Sequence, residues 1–176
     1  MTSVHDSNMR LFLVVDDEPE IRELLRYQVT DLGYECIVAK DGLDALKFIE
    51  NREIDAVISD INMPVMNGIQ LLTEVRLRGL PLPFIFLTGN TGLEYLTAAM
   101  HHQVIDYIEK PFAFAVLEAK IHRILDIGHK KREIQHMLGQ LISTESSAER
   151  AKLVDAISRT DKQIIRLSIL SGQKKG

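Results

Sequence analysis

The chain has 176 residues, with 21 Lys and Arg against 25 Asp and Glu, so its formal net charge is −4. Hydrophobic residues make up 45% and charged residues 26%, the balance of a folded globule, which excludes wholesale disorder. No run approaches the roughly 18 apolar residues of a membrane span, the N-terminus lacks the basic-then-apolar layout of a secretion signal, and the one cysteine, Cys36, excludes an internal disulfide or a multi-cysteine zinc site. A cytoplasmic protein that does not insert in membranes is the expectation.

The charge is unevenly divided. Residues 1–116 carry 9 basic and 18 acidic side chains, whereas residues 117–176 carry 12 and 7. The second part has no proline and no aromatic residue, a composition that suits helices better than a second globule.

Taken in order, the first part alternates apolar runs with helical patterns. The runs are Leu11 to Val15, Cys36 to Ala39, Ala56 to Asp60, Phe84 to Thr88 and Val104 to Ile108. Continuous runs of this length fit strands buried on both faces. After the first run, Ile21, Leu24, Leu25 and Val29 repeat at helical spacing, with Pro19 suited to the first turn and Gly33 to the stop. Leu43, Leu46, Phe48 and Ile49 mark a second helix after Asp41. Ile69, Leu71, Leu72 and Val75 mark a third, and Leu93, Leu96, Ala99 and Met100 a fourth. A fifth begins after Pro111. Strands and helices that alternate in this way predict a parallel α/β sheet with right-handed crossovers and helices on both faces.

In such sheets ligands sit outside the carboxyl ends of the strands. Asp16 and Asp17 follow the first strand, Asp60 ends the third, Thr88 the fourth and Lys110 the fifth. Three carboxylates, a hydroxyl and an ammonium are thus expected at one edge. Clustered carboxylates repel one another unless a cation joins them, and hard oxygen ligands suit Mg²⁺. A carboxylate can also serve as the nucleophile in phosphoryl transfer, giving an aspartyl phosphate. The metal and Lys110 would neutralise the charge spread over the transition state. Thr88 could donate to a phosphoryl oxygen.

The strings Leu13-Val14-Val15-Asp16-Asp17-Glu18, Asp60-Ile61-Asn62-Met63-Pro64-Val65-Met66-Asn67-Gly68, Leu87-Thr88-Gly89 and Asp106-Tyr107-Ile108-Glu109-Lys110-Pro111-Phe112 occur in this order. With them, the chain from about Arg10 to about Ile124 resembles the receiver domain of bacterial two-component response regulators. The resemblance implies a flavodoxin-like five-stranded parallel sheet with helices on both faces. It also implies Asp60 as phosphoacceptor, and Mg²⁺ held by Asp16, Asp17, Asp60 and the backbone carbonyl of Asn62, with Asp16 direct or through water. Thr88 and Lys110 would bind the phosphoryl group, Thr88 and Tyr107 would form the switch, and Asn62 and Asn90 would tune phosphate lifetime. The Lys110–Pro111 bond is often cis in that family. A histidine kinase or phosphotransfer protein would be the donor, and the output a phosphorylation-dependent contact with a downstream protein. Such a chain is not an enzyme beyond self-catalysed transfer and loss of phosphate at Asp60. A stand-alone aspartyl phosphatase fits less well, since its usual Asp-x-Asp after the first strand is here Asp16-Asp17-Glu18.

The expected organisation is a flexible N-terminus over 1–9, the receiver over 10–124 and a helical extension over 125–176. The helix after Pro111 is expected to continue to about Ile142, some 28 residues or about 42 Å, and to project from the receiver. Ile127, Ile134 and Leu141 keep a seven-residue step with Met137 alongside, a coiled-coil pattern that Gly128 and Lys130 weaken. Ser143 to Ser147 breaks the helix, and Ser146-Ser147-Ala148-Glu149 reads as a capping box. Leu153, Ile157, Ile164 and Leu167 then form the stripe of a second helix. An αα-hairpin with exposed stripes calls for a partner, and a homodimer through these C-terminal helices is the expectation. His122, His129 and His136 step by seven, too far apart on one helix to share an ion, and read as an exposed polar stripe. The alternative is a transcriptional regulator whose short basic C-terminal helices contact DNA. The lack of residues for a recognition helix after Gly172 argues for no specific DNA readout.

Overall fold

The computed structural model describes residues 9–89 and 106–169, with side chains to residue 166. The helix expected around Leu93 to Met100, together with Asn90, Val104 and Ile105, lies outside the described residues. Five strands form one parallel sheet: β1 (Leu11–Val15), β2 (Glu35–Ala39), β3 (Ala56–Asp60), β4 (Phe84–Thr88) and β5 (Asp106–Glu109). Their order is β2-β1-β3-β4-β5. The described helices are α1 (Pro19–Asp31), α2 (Gly42–Asn51), α3 (Gly68–Leu77), α4 (Phe114–Ser143) and α5 (Ser147–Ile169). The expected α/β architecture is therefore what the chain adopts.

β1, β3 and β4 coincide with the apolar runs, and nearly every residue in them is buried because these strands lie inside the sheet. Alternate residues serve opposite faces. Leu13, Val15, Val57, Phe84 and Phe86 form one core with Ala45, Leu46 and Ile49 of α2 and Leu71, Leu72 and Val75 of α3. Phe12, Val14, Ile58, Ile85 and Leu87 are equally buried, as are Leu25 and Val29 of α1 and Leu117 and Ile121 at the start of α4. The edge strands depart from the continuous-run expectation. In β2 only Ala39 is fully buried, and β5 alternates, with Asp106 and Ile108 buried and Tyr107 and Glu109 exposed. An edge strand is covered less completely than an inner one, so β2 is mostly half-buried and in β5 alternation replaces the buried run.

The helix boundaries follow from local chemistry. Pro19 stands in the first turn of α1, where its missing N–H is harmless. Gly33 takes φ 85°, and the Gly33 and Tyr34 N–H groups donate to the Thr30 and Val29 carbonyls, closing α1 with a left-handed cap. Asp41 caps α2 through Asp44 N–H at 2.8 Å.

The chain divides into two compact units after Ile121, and α4 is one continuous helix across that division. In the second unit Ile124, Ile127 and Gly128 are buried, and none of residues 129–166 is. α4 ends at Ser143, one residue past the expected stop. The loop from Thr144 to Ser146 makes half of the expected capping box. Glu149 N–H donates to Ser146 Oγ at 3.4 Å, but the Glu149 carboxylate accepts from the Thr144 hydroxyl at 2.8 Å instead of reaching back to the cap.

Candidate functional site

The site is built at the carboxyl ends of β1, β3, β4 and β5. Parallel pairing of β1 with β3 sets Val15 beside Ser59, so Asp16 and Asp60 leave adjacent strand ends. Pairing of β4 with β5 sets Thr88 beside Glu109, and Lys110 N–H donates to the Thr88 carbonyl at 2.7 Å. Lys110 is thereby aimed across the strand ends. Its ammonium donates to Asp60 Oδ1 at 2.6 Å and to Asp16 Oδ2 at 3.0 Å. The Lys110–Pro111 bond is cis, as the motif implies.

Asp16 is fully buried, and both its carboxylate oxygens are engaged, since Oδ1 accepts the Glu18 N–H at 3.0 Å. Asp60 is buried, and its Oδ2 accepts the Asn62 N–H at 2.6 Å. Asp17 is exposed, and its carboxylate makes no hydrogen bond or ion pair among the described residues. Thr88 is fully buried and its hydroxyl donates to the Gly89 carbonyl at 2.8 Å. Tyr107 is 43% exposed on the outer side of β5. Asp106, beside it, is buried and ion-paired with Lys120 in α4.

Electrostatics follow from burial. Desolvation pushes the Asp60 carboxyl above the ordinary aspartate range. The Lys110 ammonium pulls it back and the Asp16 charge pushes it up again. Desolvation acts against the charged Lys110, but its bonds to Asp60 and Asp16 outweigh this and its pKa is raised.

The donor set fits a hard divalent cation. Two carboxylates, Asp16 and Asp60, face one ammonium, and Asp17 and the Asn62 carbonyl remain available as oxygen ligands. Among the described residues no three acidic, imidazole or thiol side chains close on one point. Asp16 and Asp60 meet on Lys110, and Asp17 stands apart from that pair. The sequence placed the acids, the hydroxyl and the lysine at one edge, and Asp16, Asp60 and Lys110 are in direct contact there.

Sequence reasoning missed Arg22, which donates from Nη1 to the carbonyls of Asp16 and Asp17. Its signal was an arginine one turn into the helix that follows the acids. The loop after β3 was also under-read. Gly68 N–H donates to the Ile61 carbonyl at 3.0 Å, and a Cβ there would lie 2.3 Å from the Asp60 carbonyl oxygen and 3.0 Å from Phe86 Cε1. Only glycine lets α3 start against the backbone of Asp60. Gly68→Ala is expected to cost about 1–3 kcal/mol through overpacking, read from the urea unfolding midpoint. Val65 in the same loop has φ 67° and is 77% exposed, and Met66 N–H donates to the Pro64 carbonyl at 2.8 Å. This is a tight γ-turn with a β-branched residue in the left-handed region, where strain is expected. Val65→Asn is expected to raise stability by about 1 kcal/mol, checked by thermal melting.

Comparison with known proteins agrees with this geometry. Residues 12–122 match the family model described as the response regulator receiver domain. The chain belongs to that family. The receiver is 36% identical over 131 residues to the sensor histidine kinase RcsC of Escherichia coli K12, an alignment covering 74% of this chain and 14% of that one. It is 36% identical over 113 residues to the response regulator MprA of a Mycobacterium species, covering 64% of this chain and 49% of that one. The chain thus spans half or less of these relatives' own length. Among solved structures, the chemotaxis regulator CheY4 of Vibrio cholerae shares 33% identity and a TM-score of 0.63, covering 66% of this chain and 99% of that one. Receiver domains take phosphate from histidine kinases, generally with Mg²⁺ at the phosphorylation site, and are regulatory domains rather than enzymes in the usual sense. No described helix is long and apolar enough to cross a membrane.

Proposed function

We propose that this receiver accepts a phosphoryl group on Asp60 and signals through a protein–protein contact that depends on it. The observation that carries this reading is the bridge of Lys110 between Asp16 and Asp60 at the sheet edge. In the transfer, an Asp60 carboxylate oxygen bonds to phosphorus as the bond from phosphorus to the donor's leaving group breaks, and the leaving group departs with its electron pair. Asp60 is the nucleophile. Lys110 neutralises the oxygens of the moving group, and the Asn62 N–H holds Asp60 Oδ2. The Thr88 hydroxyl is a rotor that can exchange the Gly89 carbonyl for a phosphoryl oxygen, with Tyr107 on the exposed face of the neighbouring strand as its switch partner. Asp17, Asp60 and the Asn62 carbonyl would hold Mg²⁺, with Asp16 behind them, its oxygens already committed. When bound, that ion supplies charge neutralisation to the phosphoryl oxygens.

The extension, α4 beyond Ile121 together with α5, would join two copies through its half-buried apolar stripe. The test is incubation with acetyl phosphate and Mg²⁺, followed by intact-mass analysis. One acid-labile phosphoryl addition is expected in the native chain and none in Asp60→Asn. Undiminished labelling of that variant removes Asp60 from the role.

A further inference from the structure

We propose that Arg22 is a positioning residue that holds Asp17 ready for the cation, an inference that rests on the phosphoacceptor reading above. One guanidinium nitrogen, Nη1, donates to the Asp16 carbonyl at 2.7 Å and to the Asp17 carbonyl at 2.9 Å. The first carbonyl belongs to the peptide plane entering Asp17 and the second to the plane leaving it. A residue has two soft backbone dihedrals between those planes. Pinning both planes to one nitrogen fixes both dihedrals of Asp17, and with them the direction of its Cα–Cβ bond.

The surroundings explain why such a clamp is needed. Asp16 is anchored without it: its N–H donates to the Ala39 carbonyl at 3.2 Å and its carboxylate holds Glu18 N–H and Lys110. Asp17 is exposed, and its carboxylate has no partner among the described residues. The start of α1 adds one hold, the Glu18 N–H on Asp16 Oδ1 at 3.0 Å, which steadies the plane leaving Asp17, while the Glu18 side chain makes no cap bond and Pro19 donates none. Arg22 itself is rooted in the first turn, its N–H donating to the Glu18 carbonyl at 3.0 Å. The side chain therefore folds back from a fixed helix onto the backbone of the acid whose carboxylate is unengaged, and it is the contact that ties the plane entering Asp17 to the plane leaving it. Carbonyls, not carboxylates, receive the guanidinium, so the acids keep their charge for the cation.

The sign of the effect separates this role from a purely electrostatic one. As a positive charge near the acids, Arg22 repels Mg²⁺, and its removal would tighten binding. As a clamp, its removal weakens binding. Groups that hold a metal ligand in place are worth about 10–100-fold in affinity. Calorimetric titration of the full chain with MgCl₂ alone should show Arg22→Met binding about tenfold more weakly than wild type. Arg22→Lys should recover part of the loss, since one ammonium can still bridge two carbonyls. In the Asp17→Asn background, Arg22→Met should add little. Without metal, amide exchange at Asp17 should accelerate in Arg22→Met, while β3 and β4 stay as protected as in wild type. Equal or tighter Mg²⁺ binding by Arg22→Met overturns the proposal, as does equal weakening with and without the Asp17 carboxylate. Wild type that binds Mg²⁺ but gains no phosphoryl on Asp60 removes the phosphoacceptor reading and leaves the clamp tested. Wild type that binds no Mg²⁺ overturns both.

Discussion

Lys110→Met is expected to cost about 3 kcal/mol of stability at neutral pH, the lower end of what stranding buried charges costs. The lower end applies because the Lys110 side chain is 25% exposed. In the native chain the ammonium is shared by Asp16 and Asp60, and Asp16 is fully buried. Without it, two carboxylates face each other with only N–H donors to hold them. The pH dependence is the sharper test. The Asp60 carboxyl is already raised by desolvation, and Lys110 is what restrains it. Removing Lys110 raises it further. A group whose pKa is raised on folding contributes stability below its unfolded value, about 3.9 for aspartate, and loses it as pH climbs through the folded value. The deficit of the variant should therefore be smallest in acid and widen toward neutrality. Urea midpoints of both proteins between about pH 4 and pH 8 read this directly. A deficit constant over that window would mean that Lys110 acts by packing alone. Transfer to Asp60 should slow by about 10²–10³, the usual cost of removing one charge-stabilising donor.

Much of this site was legible in the sequence because parallel sheets leave little freedom. A buried run that ends in an acid must deliver that acid to the carboxyl edge, which is how Asp16, Asp60, Thr88 and Lys110 could be placed together. What pattern could not reach was the direction of each polar atom. Residue spacing does not say that Lys110 would sit on both acids, that the Thr88 hydroxyl would turn to Gly89, or that Asp17 would be left exposed. Those outcomes depend on competition among donors within a few ångströms. Arg22 was hidden for the same reason: its partners are main-chain carbonyls, which carry no residue identity. The edge strands were misjudged in character but not in place, because Tyr107 and Glu109 answer to sheet order, which only the assembled fold reveals. In the extension, the half-formed capping box shows the same limit, since Thr144 outcompetes the Ser146 backbone for Glu149.

Ile157→Asp is expected to convert a dimer into a monomer. Between residues 129 and 166 no side chain is buried, yet Ile134, Met137 and Leu141 of α4 and Leu153, Ile157 and Ile164 of α5 are each partly covered. A hairpin of two helices can cover these stripes only in part. Full burial of such a side chain is worth roughly 1.5–3 kcal/mol. If a partner copy supplies about half of that at six positions per chain, the gain is of order 10 kcal/mol, which competes with an association cost of about 4–15 kcal/mol. Two-fold symmetry doubles every substitution, because each variant residue appears twice in the interface. One buried aspartate per chain is therefore enough to remove the margin. Light scattering at tens of micromolar should give about twice 20.0 kDa for the native chain and the single mass for Ile157→Asp. Truncation after Ile127 should likewise give a monomer, one that still takes phosphate at Asp60. A native chain that is monomeric at these concentrations, with and without acetyl phosphate, would mean that the two helices satisfy each other within one chain. Dimers that form only after phosphate is added would make the extension a reader of Asp60 instead of a permanent clamp.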